Sequence, residues 1–188
     1  MFDKGTWLNP PPDWSIDTNG VLNARSAGKT DFWRRTHYGF ERDNGHALLL
    51  PADAEFSAAL TFSGDYHTLY DQAGLMIRAS AERWIKFGIE LTDGATHLSV
   101  VVTDGSSDWS ARIIALDGPL TIRATRIGDA VFMQLGGADG AWSMVRLAPF
   151  AADADAAVGP YFCSPERAGF KASFHSFALT EPLVRGVH

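Results

Sequence analysis

From Gln72 to Thr103 the chain alternates apolar and polar residues with a period of two through three successive segments. This is the feature that most restricts what it can fold into. In the first segment Ala73, Leu75 and Ile77 interleave with Gln72, Gly74, Met76 and Arg78. In the second, Ile85, Phe87, Ile89 and Leu91 oppose Trp84, Lys86, Gly88 and Glu90. In the third, Leu98, Val100 and Val102 oppose His97, Ser99, Val101 and Thr103. Successive side chains leave a strand on opposite faces, so the pattern predicts three half-buried antiparallel strands.

Turn chemistry proposes the register. Asp93-Gly94 suits a two-residue hairpin, whose central positions need positive φ, and it places Glu90 opposite His97, Gly88 opposite Ser99 and Lys86 opposite Val101. If Arg78 pairs with Trp84 across the loop 79–83, Met76 faces Lys86, Gly74 faces Gly88 and Gln72 faces Glu90. The outward face then carries a floor of Gly74, Gly88 and Ser99, with Gln72, Glu90 and His97 along one rim and Lys86, Arg78 and Trp84 along the other. Antiparallel sheets commonly turn one polar face to water, and Glu90 with His97 reads equally as an ordinary cross-strand pair. The Trp, Met and Gly among the charges favour a ligand surface, because strand glycines often mark a close approach to the backbone.

A second dense stretch spans residues 30–50. Asn44-Gly45 is a turn signal there, predicting a hairpin of 35–42 with 46–50. Trp33, Arg35 and His37 would share one face of it, a set suited to an anionic or polyhydroxyl ligand; aromatic packing with snorkelling arginines is the alternative. Further strands are expected around 21–24, 55–64, 109–116, 120–127, 131–135, 142–147, 158–163 and 170–179. Either Trp109 and Ala111, or Ser110 and Arg112, join the polar face. About twelve short strands with regularly spaced turns and little helix describe an all-β sandwich or barrel.

The 188 residues suit one domain, with an extended segment 1–20 packed on the sandwich through Trp7 and Trp14, and a tail at 181–188. A net charge of −6 argues against a nucleic-acid surface. Lone Cys163 excludes an internal disulfide and weighs against a cysteine metal cluster. No apolar run has the length of a membrane span or the form of a signal peptide, so a cytoplasmic protein is expected. The glycine-rich loop 136–141 lacks the lysine and helix of a phosphate loop, and no cofactor is expected. No metal is expected either: the six histidines lack paired spacing, and Asp65, Asp104 and Asp108 are the available calcium donors.

The blocks TDFWRRTHYGFERDNGH (30–46), YDQAGLMIR (70–78), WIKFGIE (84–90), HLSVVVT (97–103), SDWS (107–110) and GPYFCSP (159–165) resemble the DUF1349 family, which includes a yeast protein named for regulation of enolase. The resemblance implies a concanavalin A-like jelly-roll sandwich, a fold that often binds carbohydrate on a concave sheet face. On that analogy Trp33, Trp84 or Trp109 would stack on a sugar ring while Gln72, Arg78, Glu90 and His97 bond its hydroxyls. Lys86 would suit a uronate or sugar phosphate. The alternatives are a glycoside hydrolase or lyase with Glu90 and His97 as acid and base, and a regulatory module contacting another protein through residues 1–20. A glycosidase needs two carboxylates, about 5–5.5 Å apart for retention or 6.5–9.5 Å for inversion. Asp71 and Asp43 are the partners considered for Glu90, and the Glu-x-Asp-x-x-Glu pattern of laminarinase-type sandwiches is absent.

Overall fold

The computed structural model describes residues 1–183 and is built almost entirely of antiparallel strands. After one 3-10 turn at Phe2–Lys4 come β1 (Thr6–Leu8), β2 (Asp13–Ile16), β3 (Leu22–Arg25), β4 (Phe32–Arg34) and β5 (Glu41–Asp43). The long strands follow: β6 (His46–Ala52), β7 (Phe56–Gly64), β8 (Gln72–Arg78), β9 (Arg83–Thr92), β10 (Ala95–Asp104) and β11 (Ser106–Ile113). The chain closes with β12 (Leu120–Ile127), β13 (Ala130–Gly136), β14 (Trp142–Pro149), β15 (Ala156–Cys163) and β16 (Lys171–Thr180). One seven-stranded sheet runs β1-β6-β15-β8-β9-β10-β11, and a second runs β14-β13-β12-β7-β16-β3-β2. They form the jelly-roll sandwich that the family resemblance implied. No helix among the described residues is long and apolar enough to cross a membrane.

The central meander pairs in the expected register. Gln72, Gly74, Met76 and Arg78 oppose Glu90, Gly88, Lys86 and Trp84, and His97, Ser99 and Val101 oppose Glu90, Gly88 and Lys86. The inward set, Ala73, Leu75, Ile77, Ile85, Phe87, Ile89, Leu98 and Val100, packs in the main core. There it meets Phe56, Leu60, Phe62, Ile122 and Phe174 of the second sheet. Asp93 and Gly94 both take positive φ, as the hairpin requires.

Gly74 and Gly88 do a different job from the one their sequence context suggests. A Cβ on Gly74 would run into the Phe87 carbonyl oxygen, and one on Gly88 into that of Ala73. The glycines permit β8 and β9 to approach closely, and neither lines the cleft described below.

Four expectations are corrected. The segment 35–42 does not pair with 46–50: β4 pairs with β5, while β6 enters the first sheet between β1 and β15. Arg35, His37 and Gly39 all have positive φ, so the chain between β4 and β5 is a tight turn without strand periodicity. Among the described residues sixteen strands form where about twelve were expected; β1, β2, β4 and β5 have three or four residues each and show too few alternations to be recognised. The loop expected at 104–108 shrinks to a turn at Gly105, and β10 runs straight into β11. Finally, residues 1–20 do not merely lie on the sandwich. β1 extends one sheet and β2 the other, with Asn9-Pro10-Pro11-Pro12 crossing between them and Trp7 against Trp14 at 5.5 Å. Trp14 remains 45% exposed and reachable by a partner. Of the expected tail 181–188, residues 184–188 lie outside the described residues.

Asp71 ties the loop after β7 to the loop after β15. It accepts from Arg167 Nη2 at 2.7 Å, Ser164 Oγ at 2.8 Å, and the amides of His67 and Thr68 at 3.1 and 3.0 Å. Burial opposes its charge, but these donors outweigh burial and hold the carboxyl below its usual range. A carboxyl with a depressed folded pKa stabilises the fold above its unfolded pKa, and that stability is lost as pH falls through the folded value. Asp71→Asn is therefore expected to cost about 3 kcal/mol at pH 7, with the difference shrinking below about pH 4; urea unfolding across pH reads it. Gly88→Ala should lower unfolding free energy by about 1–3 kcal/mol in the same assay, since the added methyl has backbone for a neighbour.

Candidate functional site

The outward face of the first sheet is only partly open. Its alternation presents Met76, Trp84, Val101 and Tyr161, and the β4–β5 flap lies across them. Phe32 from the flap joins Met76, Trp84, Val101, Tyr161 and Cys163 in a second apolar cluster, with its ring 6.1 Å from that of Trp84. Polar clips hold the flap down. Arg78 makes a bidentate pair with Asp43 at 2.7 and 2.8 Å. Arg34 donates to Glu41, Glu82 and the Gly105 carbonyl, and its amide donates to Ser107 Oγ at 2.9 Å.

Beside the flap a cleft of about 220 Å³ stays open. Its rim is aromatic: Trp33, Tyr38 and Phe40 from the flap, Tyr70 from the loop before β8, and Trp109 from β11. Tyr38 stacks on Phe40 at 5.3 Å and meets Trp33 edge-on at 5.8 Å. Hydrogen bonding with Tyr38 is the main cause that pushes the Tyr70 phenol up to about 12. The base is polar, lined by Asp31, Gln72, Lys86 and Glu90, with Glu166 at the edge.

The base is a buried charge network. Lys86, 3% exposed, donates to Gln72 Oε1 at 2.8 Å and to Asp31 Oδ1 at 3.3 Å. Gln72 Nε2 also reaches Asp31 Oδ1, and the Phe32 amide donates to that same oxygen at 2.8 Å. Burial works against the Lys86 charge, yet the carboxylates of Asp31 and Glu90 keep its pKa above the ordinary value. On the other side a chain of donors holds Glu90: Trp109 Nε1 donates to Ser99 Oγ at 2.9 Å, and Ser99 donates to Glu90 Oε2 at 2.8 Å. Burial pushes the Glu90 carboxyl up, with Lys86 and Ser99 partly opposing. Its Oε1 has no hydrogen-bond partner among the described residues.

Of the residues singled out from sequence, Trp33, Gln72, Lys86, Glu90 and Trp109 come together around this cleft. Trp109 settles its own register by pairing with Val101 and turning to the outward face. The rest lie elsewhere. Trp84 is 0% exposed beneath Phe32, and Arg78 is spent on Asp43. Arg35 pairs with Glu41 at 2.7 Å, and His37 packs edge-on against Tyr38. His97 sits next to Glu90, but its Nδ1–H donates to the Ala95 carbonyl and it does not line the cleft. Asp71 and Asp43, considered as partner carboxylates, are held by Arg167 and Arg78, and the carboxylates that share the cleft with Glu90 are Asp31 and Glu166. Asp31, Tyr38, Phe40, Tyr70 and Glu166 were not legible as site residues: all sit in turns or at strand ends, where no alternation assigns a face.

Among the described residues no three His, Cys, Asp or Glu side chains converge to hold a metal ion. Asp65, Asp104 and Asp108 pair instead with Arg167, Arg83 and Arg146. His46 is occupied too, accepting from the Ala27 amide and donating to the Asn9 carbonyl.

Lys86→Met should leave the buried Glu90 and the part-buried Asp31 without their cation. The expected result is a loss of about 3 kcal/mol of stability and a further rise of the Glu90 pKa, read by carboxyl-carbon NMR titration.

Comparison with known proteins agrees with this architecture. Regulation of enolase protein 1 of Saccharomyces cerevisiae is 40% identical over 188 residues, spanning 100% of this chain and 94% of the relative. A crystal structure of a functionally unknown protein from Saccharomyces cerevisiae superposes with a TM-score of 0.92 at 40% identity, covering 97% of this chain and 99% of that one. Xylan β-1,4-xylosidase from Bacillus halodurans superposes with a TM-score of 0.74 at 16% identity, over 96% of this chain and 38% of the xylosidase. At that identity the likeness is one of fold alone. The profile described as "Protein of unknown function (DUF1349)" matches residues 7–182, and the chain belongs to the DUF1349 family.

Proposed function

We propose that the cleft binds a small polyhydroxyl ligand, a single sugar ring, and that the protein acts as a binding module. The observation that carries this is the pairing of an aromatic rim with a polar base that has acceptor capacity left over. A sugar ring has apolar C–H faces that lie against aromatic rings, and hydroxyls that need acceptors and donors at fixed positions. Trp109, 39% exposed and anchored through its Nε1, offers such a face. Glu90 Oε1 offers the acceptor. The volume of about 220 Å³ falls below the ~300–1,000 Å³ usual for drug-sized ligands, which favours one ring over an extended chain. The xylosidase supports the reading only as a carbohydrate-active protein that contains this type of sandwich.

Acid–base chemistry on the same ligand is the second reading, favoured by the upward-shifted Glu90 carboxyl sharing a cleft with Glu166. A carboxyl poised to hold a proton suits a general acid. Sustained turnover of a bound glycoside would select this reading, and binding without turnover would reject it.

A thermal-shift panel of neutral and charged monosaccharides tests the binding reading. A ligand at 100 times its Kd adds about 2.7 kcal/mol, or roughly 5–10 °C in Tm for a chain of this size. Trp109→Ala and Glu90→Gln should each remove most of the shift. If no sugar shifts the parent, or both variants retain a full response, the site is not where we place it.

A further inference from the structure

Building on the sugar-site reading, we infer that the cleft selects a ring bearing a protonated amine, an amino sugar, and discriminates against uronates and sugar phosphates. Three carboxylates, Asp31, Glu90 and Glu166, line it against one cation, Lys86. That cation is committed: its ammonium donates to Asp31 and Gln72 from a position 3% exposed, so it has little to offer an incoming anion. Three guanidinium groups on nearby elements are committed as well, Arg34 to Glu41 and Glu82, Arg78 to Asp43 and Arg167 to Asp71, while Arg42 lies over the outer Phe40 ring and does not line the cleft. An anion entering the cleft meets a lining in which carboxylates outnumber cations, with Lys86 already paired to Asp31.

A cation meets the reverse. Five aromatic rings form the rim, and ring faces attract positive charge even at exposed sites, as Arg42 over the Phe40 ring already shows. At the base, Glu90 is 8% exposed and its Oε1 lacks a partner, while the Trp109–Ser99 chain holds Oε2 in place. With Oε2 held, Oε1 is free to accept a charge-assisted N–H bond from a group in the cleft, and such bonds are stronger than neutral ones. This acceptor separates the amines: a protonated primary amine carries N–H to donate, whereas a quaternary ammonium carries none. The ring hydroxyls of an amino sugar would use the polar groups that any sugar uses.

The test is isothermal titration of the full chain with glucose, glucosamine, N-acetylglucosamine, glucuronate and tetramethylammonium. N-acetylglucosamine keeps the ring and abolishes the charge. Glucosamine should bind about tenfold more tightly than glucose or N-acetylglucosamine, and glucuronate should not bind. Glu90→Gln should erase the preference, so that glucosamine, glucose and N-acetylglucosamine bind the variant with equal and weakened affinity. Glu166→Gln, at an exposed position where folding is not at risk, should weaken glucosamine by about two- to fivefold. Equal binding of glucose and glucosamine, or measurable binding of glucuronate, would overturn the charge selectivity and leave the sugar site standing. Binding of tetramethylammonium with no sugar bound would overturn the sugar site and the N–H argument while keeping the cation preference. Silence from all five ligands would overturn both.

Discussion

An ammonium group cannot be taken out of water without a countercharge, and Lys86 on the central strand β9 is almost wholly buried. Its countercharge, Asp31, does not come from the meander; it arrives at the base of the β4–β5 flap, 55 residues earlier in the chain. Neutralising Lys86 and seating the flap are therefore one event. The Phe32 amide, bonded to the same carboxylate oxygen, aims the Phe32 ring into the cluster around Trp84. Remove the ion pair and the flap loses its buried charged anchor, leaving the outer clips Arg78–Asp43 and Arg34–Glu82.

The first sheet consequently supports two cores. Its inner face packs against the second sheet in the main sandwich core, and half of its outer face packs under the flap. Residues that read as a polar, ligand-facing row divide between these roles. Met76 and Trp84 fill space, Arg78 clips the flap, and Gln72, Lys86, Glu90 and Trp109 remain at its open side. The cleft exists because the flap covers only part of the face. Its aromatic rim comes largely from the flap tip, so the element that closes one half of the sheet furnishes the other half with rings.

The fold by itself is a poor guide to purpose. Sandwiches of this shape occur within much larger enzymes at 16% identity, where only the architecture is common. What bears on function is local: a small aromatic mouth, a carboxylate with one oxygen held and the other free, and a lysine already neutralised. That last point reverses the meaning of Lys86 as seen in sequence. A lone lysine among polar strand residues reads as an anion binder; with Asp31 and Gln72 on it, it belongs to the scaffold.

The strands and the register of the meander were legible because they depend on neighbours in sequence. Alternation over seven to ten residues assigns each side chain to a face, and a two-residue turn at Asp93-Gly94 leaves one way to pair the flanking strands. Glu90 beside His97 follows from those two facts alone, and Gln72 beside Glu90 from the further pairing of Arg78 with Trp84 across the loop 79–83. The flap was not legible, because β4 and β5 have three residues each and are joined by a turn of positive-φ residues, so no period reveals them. Nor could sequence say which outward residues stay open. The environments of Trp84 and Glu90, six positions apart on one strand face, differ only through what the flap covers. Period two selects the face; whether that face meets Phe32 or open space is decided by a distant segment, held by a charge pair that only the folded chain brings together.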